Sequence, residues 1–94
     1  MPTVTLGSYE WDEDKAAANL EKHGVSFVEA ASALQDPHVA YLDATTGEEE
    51  RFAAIGLSAA ARALYVVHVE RGTRDRIISA RLATPAERDI YANG

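Results

Sequence analysis

The 94-residue sequence contains no cysteine, so disulfide bonds and zinc sites built on thiolates are excluded. It also lacks a basic start followed by a long apolar run, the mark of a secretory leader. The longest apolar stretch, residues 59–69, is interrupted by Arg62 and His68, and we expect no membrane-spanning segment. A cytoplasmic protein with a single domain over residues 1–94 is therefore the expectation.

Motifs of several common enzyme classes are missing as well. No G-x-S-x-G, P-loop or G-x-G-x-x-G is present, which leaves serine hydrolases, NTPases and dinucleotide enzymes unsupported. The histidines, His23, His38 and His68, do not stand at a metal-binding spacing, so we expect no metal and no cofactor. His68 lies within a predicted strand, where a half-buried and hydrogen-bonded side chain is expected.

Charge is unevenly distributed along the chain, whose net charge is −6. Residues 1–59 carry three basic side chains against eleven acidic ones, and residues 60–94 carry six arginines against four acidic residues. Arginine grips phosphate through two parallel hydrogen bonds, so residues 71–91 are the candidate surface for an anionic ligand. If they pair with carboxylates instead, the same arginines form only a solvated strand face.

Capping residues predict three helices. The first covers about residues 12–23 after a short strand near residues 9–11, the second follows it directly, and the third runs to about residue 91. The residues that mark their ends are Asp12 and Gly24 for the first, Ser26, Glu29 and Asp36-Pro37 for the second, and Thr84, Pro85 and Glu87 for the third.

Four strands are predicted between the second and third helices. They cover residues 39–43, 51–57, 63–70 and 74–83, with short turns between them that favour antiparallel pairing. The sequence therefore predicts an α+β fold with two N-terminal helices, a four-stranded antiparallel sheet and a C-terminal helix. In a regular last strand, Arg81 points away from Arg74 and Arg76, whereas a β-bulge changes this arrangement.

Segments spread over residues 9–91 together resemble a known family. They are Glu10-Trp11-Asp12, Lys15, Asn19, Lys22-His23-Gly24-Val25-Ser26-Phe27, Glu29-Ala30-Ala31, Asp36-Pro37, Glu50-Arg51-Phe52, Ile55-Gly56, Glu70-Arg71-Gly72, Arg76-Ile77-Ile78-Ser79-Ala80-Arg81, Ala83-Thr84, Glu87-Arg88 and Tyr91. They are similar to the BrnT family, the toxin half of a bacterial type II toxin–antitoxin system. The resemblance implies a RelE-like fold and a metal-independent ribonuclease that inhibits translation. It also implies a BrnA-like antitoxin partner, through which alone operator DNA would be contacted.

Metal-free cleavage of RNA assigns three tasks to the protein. When the 2′-hydroxyl attacks the neighbouring phosphate, a base accepts its proton, donors stabilise the phosphate oxygens, and an acid protonates the leaving oxygen. The catalytic candidates are Arg51, Arg76 and Arg81 as donors, Glu50, Glu70, His23 or His68 as base, and Tyr91 or Lys22 as acid. Arg74 and Arg88 are the further candidates for RNA binding.

Two other interpretations remain open from the residues. The arginine-rich sheet could serve a catalytically weak or inactive module that binds an acidic protein partner, because arginine is also favoured at protein interfaces. Direct DNA binding is weaker, since no helix-turn-helix signal is present.

Overall fold

The computed structural model describes residues 2–94, which fold into a six-stranded sheet and three helices. The elements are β1 (Thr3–Leu6), β2 (Tyr9–Asp12), α1 (Glu13–His23), α2 (Phe27–Leu34), β3 (Ala40–Asp43), β4 (Phe52–Leu57), β5 (Ala63–Arg71), β6 (Arg74–Leu82) and α3 (Pro85–Asn93). The predicted helices and the four consecutive strands are confirmed, with bounds that differ by a few residues at most.

The sheet itself corrects the prediction of a four-stranded antiparallel sheet, which is wrong. Its strand order is β1-β2-β6-β5-β4-β3, and β2 pairs with β6 in parallel, so the sheet is mixed. The register of that pair joins Tyr9 to Asp75 and Glu10 to Arg76. Parallel pairing between strands so distant in sequence has no local turn signal, and short connections indicate only antiparallel neighbours.

The first strand was also not expected. β1 forms an antiparallel hairpin with β2 across Gly7 and Ser8, and Gly7 adopts a φ of 58°, which favours glycine in a tight turn. Val4 pairs with Trp11 and packs against the core, while Thr3 and Thr5 are exposed. Leu6 is exposed as well, so only Val4 anchors this four-residue strand to the core.

The helix ends follow the predicted capping chemistry, with one difference. The Asp12 side chain accepts a hydrogen bond from the Lys15 amide at 2.9 Å, and Gly24 ends α1 with a φ of 69°. In α3 the capping box of Thr84 and Glu87 is complete. In α2 only half of the box forms, because the Glu29 carboxylate pairs with Arg62 instead of returning to the cap.

Helices α1 and α2 cover one face of the sheet, which we call the helical face. Apolar side chains of α2 pack there against Leu64, Val66 and Ile77, and all of these are buried. Asn19 of α1 is the polar link within this layer, because its amide donates to the Ala80 carbonyl at 2.8 Å and accepts from the Ala80 amide at 3.1 Å. These bonds fix α1 on β6. None of the helices in residues 2–94 is long and apolar enough to cross a membrane.

Candidate nucleic-acid interface

A β-bulge in β6 decides where the arginines point. Val67 pairs with Ser79 and the next residue, His68, pairs with Ile77, so Ile78 is an extra residue on β6. Alternation is therefore interrupted at Ile78, and positions on its two sides change face relative to a regular strand. The regular alternation that would separate Arg81 from Arg76 does not occur in the structure.

The arginines of β6 consequently project from one face, opposite helices α1 and α2. Residues paired across neighbouring antiparallel strands share a face. Arg74 pairs with Arg71, Arg76 with Val69 and Arg81 with Tyr65, three partners at alternate positions of β5. The intervening partners, such as Val66, belong to the helical face. We call the surface formed by Arg74, Arg76 and Arg81 with the neighbouring Arg51 and Arg71 the arginine face.

Arg51 also lies on this surface, although it precedes β4 and not β6. It directly precedes Phe52, whose partner His68 lies on the helical face, so Arg51 points the opposite way. Its Nε atom lies 3.5 Å from the carboxylate of Glu49, and the Arg71 guanidinium lies 3.7 Å from the same carboxylate. Glu49 thus holds two arginines of the face at its edge, although these exposed pairs contribute little to stability.

Arg76 is held by a carboxylate that the sequence did not single out. Its guanidinium donates a hydrogen bond at 2.5 Å to Glu10 of β2, the residue beside it in the parallel register. Both side chains are largely buried, with 19% and 15% exposed, so the pair keeps a defined geometry. Glu10 is therefore a carboxylate on the arginine face, and only the parallel pairing of β2 with β6 brings it there.

Arg81 is positioned by four contacts, one of which is a hydrogen bond at 3.2 Å to the Leu82 carbonyl. It donates two hydrogen bonds to the Glu87 carboxylate, at 2.8 and 2.9 Å, in the bidentate geometry that arginine favours. Its guanidinium carbon also lies 4.2 Å from the ring centre of Tyr65, a cation–π contact. The Arg81 guanidinium lowers the pKa of Glu87, so this carboxylate stays ionised and orients the arginine.

The remaining RNA-binding candidates are less constrained. Arg74 is exposed and, within residues 2–94, donates only to the Gly7 carbonyl, at 3.3 Å. Arg88 is exposed on α3 and has no carboxylate partner in the part of the chain that the structure describes. Both side chains are therefore available to an incoming anion.

Several predicted site residues lie away from this surface. Lys22 and His23 form the last turn of α1, which packs on the helical face and not on the arginine face. His68 and Glu70 also project from the helical face, because they pair with Ile77 and Asp75. Lys22, His23, His68 and Glu70 are thus separated by the sheet from Arg76 and Arg81. Glu50 is exposed in the loop before β4 and forms no ion pair within residues 2–94.

Tyr91 is committed to another contact. Its hydroxyl donates a hydrogen bond to Asp36 at 2.6 Å, which ties α3 to the end of α2 and to Leu57, whose amide also binds Asp36. The bond to Asp36 raises the pKa of Tyr91 above its ordinary value. A raised pKa makes the phenol a poorer proton donor near neutral pH, which disfavours Tyr91 as the general acid.

No group of three or more metal-ligating side chains is placed to hold a metal ion among residues 2–94. The His68 prediction needs correction. The side chain is buried rather than half-buried, and neither ring nitrogen has a hydrogen-bond partner in the described chain. Its predicted position within a strand is confirmed, because His68 lies in β5.

The fold and this surface define a class: small α+β proteins that present a basic sheet face opposite their two N-terminal helices. Over residues 11–87, the sequence matches the family model described as "Ribonuclease toxin, BrnT, of type II toxin-antitoxin system". The chain therefore belongs to the BrnT family and is a ribonuclease toxin, and membership in a type II system implies an antitoxin partner.

A solved structure supports the same assignment. The crystal structure of the Brucella abortus ribonuclease toxin BrnT is 27% identical in sequence, covers 79% of this chain and 92% of its own, and superimposes with a TM-score of 0.58. The sequence has no significant match among curated proteins. The predicted resemblance to the BrnT family is thus confirmed, and it favours the ribonuclease over the inactive binding module.

Proposed function

We propose that the arginine face binds single-stranded RNA and that this chain cleaves it without a metal ion. The observation that carries the proposal is the bulge at Ile78, which brings Arg74, Arg76 and Arg81 to one surface. Arg76 and Arg81 are five positions apart, so their Cα atoms are separated by roughly 15 Å at the rise of a β-strand. The array is long enough to follow a nucleic-acid backbone rather than to hold one phosphate.

The positioned arginines supply charge stabilisation. Arg76 and Arg81 are each oriented by a carboxylate, Glu10 or Glu87, and each guanidinium keeps further N–H donors for a phosphate oxygen. Because the carboxylates fix these donors before substrate arrives, they need little reorganisation as charge develops on the phosphate. Arg51 and Arg74 extend the positive surface toward the turn that joins β5 to β6. Arg88 extends it along α3.

For the base we propose Glu10. Its carboxylate lies on the arginine face beside Arg76, where a phosphate bound to Arg76 would place the adjacent 2′-hydroxyl within reach. The carboxylate would accept the proton of that hydroxyl as the 2′-oxygen attacks phosphorus. The bond from phosphorus to the 5′-oxygen breaks as that oxygen takes a proton from solvent water, and the products are a 2′,3′-cyclic phosphate and a 5′-hydroxyl. Tyr91 and Lys22 are not the acid in this proposal, since one is bound to Asp36 and the other lies beyond the sheet.

The partner of this chain and the cellular effect of cleavage are also proposed. We propose that a BrnA-like antitoxin neutralises the chain, that operator DNA is bound only through this partner, and that cleavage takes place in the cytoplasm, where it inhibits translation. The type II membership supports the general arrangement. Growth arrest on expression of the chain alone, relieved by co-expression of the neighbouring gene, is the expected outcome.

The cleavage proposal is tested with purified protein, a labelled RNA oligonucleotide and EDTA. We expect cleavage with a cyclic phosphate end, and a rate about 10²–10³-fold lower for Arg81→Ala, the typical cost of losing one positioned donor. Lys15→Ala, which removes one positive charge on α1, is the matched control and should cleave normally. Arg81→Lys keeps the charge and loses the bidentate fork, so it should remain impaired.

Two results would contradict this assignment. If EDTA abolishes cleavage and added Mg²⁺ restores it, the metal-free mechanism is wrong. If Arg81→Ala cleaves at the wild-type rate while its thermal unfolding is normal, the arginine face is not the catalytic surface.

A further inference from the structure

A pocket of about 270 Å³ lies on the helical face of the sheet. Tyr41, Phe52, His68, Glu70 and Asp75 line it. The strand pairs Phe52–His68 and Glu70–Asp75 bring these side chains together on one face. The ribonuclease proposal makes no use of this pocket, because Arg76 and Arg81 project from the other face.

His68 forms its floor and has unused hydrogen-bonding capacity. The residue is 5% exposed, and neither ring nitrogen has a hydrogen-bond partner in the described chain. Burial lowers the pKa of His68, an effect that the Asp75 carboxylate 3.8 Å from Nδ1 only partly opposes, and this favours the neutral ring. A neutral imidazole carries one acceptor nitrogen, and leaving a buried acceptor unpaired is costly.

The walls combine aromatic rings with negative charge. The rings of Tyr41 and Phe52 both lie with their centres 6.0 Å from that of His68, and Tyr41 is 58% exposed. The carboxylates of Glu70 and Asp75 stand at the rim. Aromatic faces attract guanidinium groups, and carboxylates bind them through paired hydrogen bonds.

We propose that this pocket binds an arginine side chain presented by a protein partner. The guanidinium would contact the Tyr41 and Phe52 rings and pair with Asp75 or Glu70. A nucleic-acid backbone is disfavoured here, because both rim carboxylates repel phosphate. A partner held in this pocket would dock on the face of the sheet opposite the arginine face. The proposal is therefore independent of the assignment of the catalytic residues.

The test is an NMR titration that follows the ring protons of isotopically labelled His68. The probes are n-butylguanidinium as the arginine side chain, n-butylurea as its neutral counterpart, and guanosine as a nucleobase. We expect a saturable shift with n-butylguanidinium at millimolar concentrations, and a much smaller one with n-butylurea. Asp75→Asn should weaken n-butylguanidinium binding about 3- to 10-fold, the loss of one charge-assisted contact.

Asp14→Asn, which neutralises an exposed carboxylate on α1, is the matched control and should leave the affinity unchanged. Glu70→Gln provides a second variant should Asp75→Asn unfold, as judged by thermal denaturation. The proposal is overturned if n-butylurea binds as well as n-butylguanidinium or if no probe gives a saturable shift. Tight binding of guanosine that Asp75→Asn does not weaken would make the pocket a nucleobase subsite instead.

Discussion

Arg76 and Arg81 lie on the same face of β6 although an odd number of positions separates them. Strand alternation alone would place them on opposite faces, and the extra residue Ile78 removes that separation. Each guanidinium is then fixed by its own carboxylate, Glu10 for Arg76 and Glu87 for Arg81. The bulge thus turns two separate cations into one surface for a polyanion, on a chain whose net charge is −6.

The salt dependence of RNA binding tests that surface directly. Each arginine–phosphate contact releases counterions, so the affinity for single-stranded RNA should fall steeply with salt, by about 0.7 in logarithmic slope per contact. Arg74→Ala should weaken binding and reduce the magnitude of the slope by about that amount. Fluorescence anisotropy at several salt concentrations measures both quantities. Lys15→Ala should leave the slope unchanged, and a flat response in the wild type would mean that the arginines pair only internally.

Variants of Lys22 and Arg76 distinguish two locations for the catalytic site. The family resemblance made Lys22 a candidate, whereas the geometry favours Arg76 on the arginine face. The Lys22 side chain belongs to the last turn of α1, which packs on the helical face, so Lys22→Ala should alter the RNA cleavage rate by less than about 3-fold. Arg76→Ala should reduce the same rate by about 10²-fold or more. Single-turnover cleavage assays measure both. A large loss of rate in Lys22→Ala with normal RNA affinity would place the catalytic site at the end of α1 instead.

The elements that the sequence predicted correctly are those with local signals. Helix caps such as Asp12 and Thr84 and the short turns between β3 and β6 depend on residues close in sequence, and the structure confirms them. The parallel pairing of β2 with β6 depends on contacts between residues 9–10 and 75–76, for which no local pattern exists. The strand count and the pairing direction were therefore wrong, while the α+β class was right.

The same distinction applies to the site. Arg76 and Arg81 were recognisable by residue type, but their common face depends on a bulge that alternation cannot reveal. Glu10 appeared only as part of a resemblance, because its pairing with Arg76 follows from the parallel strand. Glu87 was recognised as a capping residue and also turned out to hold Arg81, so one carboxylate serves two contacts. Long-range register is what the sequence could not provide.

Gly56 is the position where the packing of α2 on the sheet is least tolerant. A Cβ atom added there would lie 2.3 Å from the backbone oxygen of Ala33, too close for any real contact. Gly56→Ala should therefore displace α2 and destabilise the fold by about 1–3 kcal/mol, the usual cost of overpacking. Chemical denaturation measures the change. An unchanged midpoint would show that α2 shifts at no cost and that its fit against β4 is loose.

The ion pair of Glu29 with Arg62 should make stability depend on pH in the acidic range. Hydrogen bonds from Arg62, the largest influence, lower the pKa of Glu29 in the folded state, and Tyr91 does the same to Asp36. A folded-state pKa below the unfolded value gives stability that is present above the unfolded pKa, about 4, and is lost as pH falls through the folded value. The unfolding midpoint should therefore decline as pH is lowered from about 5 to 3.

Glu29→Gln isolates the contribution of that pair. The variant cannot titrate at position 29, so its stability should be lower at pH 7 and should decline less steeply with acid than that of the wild type. Tyr91→Phe should likewise lose stability at pH 7, and we expect its RNA cleavage rate to stay near the wild-type value, because the hydroxyl is already bound to Asp36. Thermal denaturation across the pH range and single-turnover cleavage provide the measurements. Parallel pH profiles for wild type and Glu29→Gln would refute the role of the pair, and a large loss of cleavage in a folded Tyr91→Phe would return Tyr91 to the catalytic site.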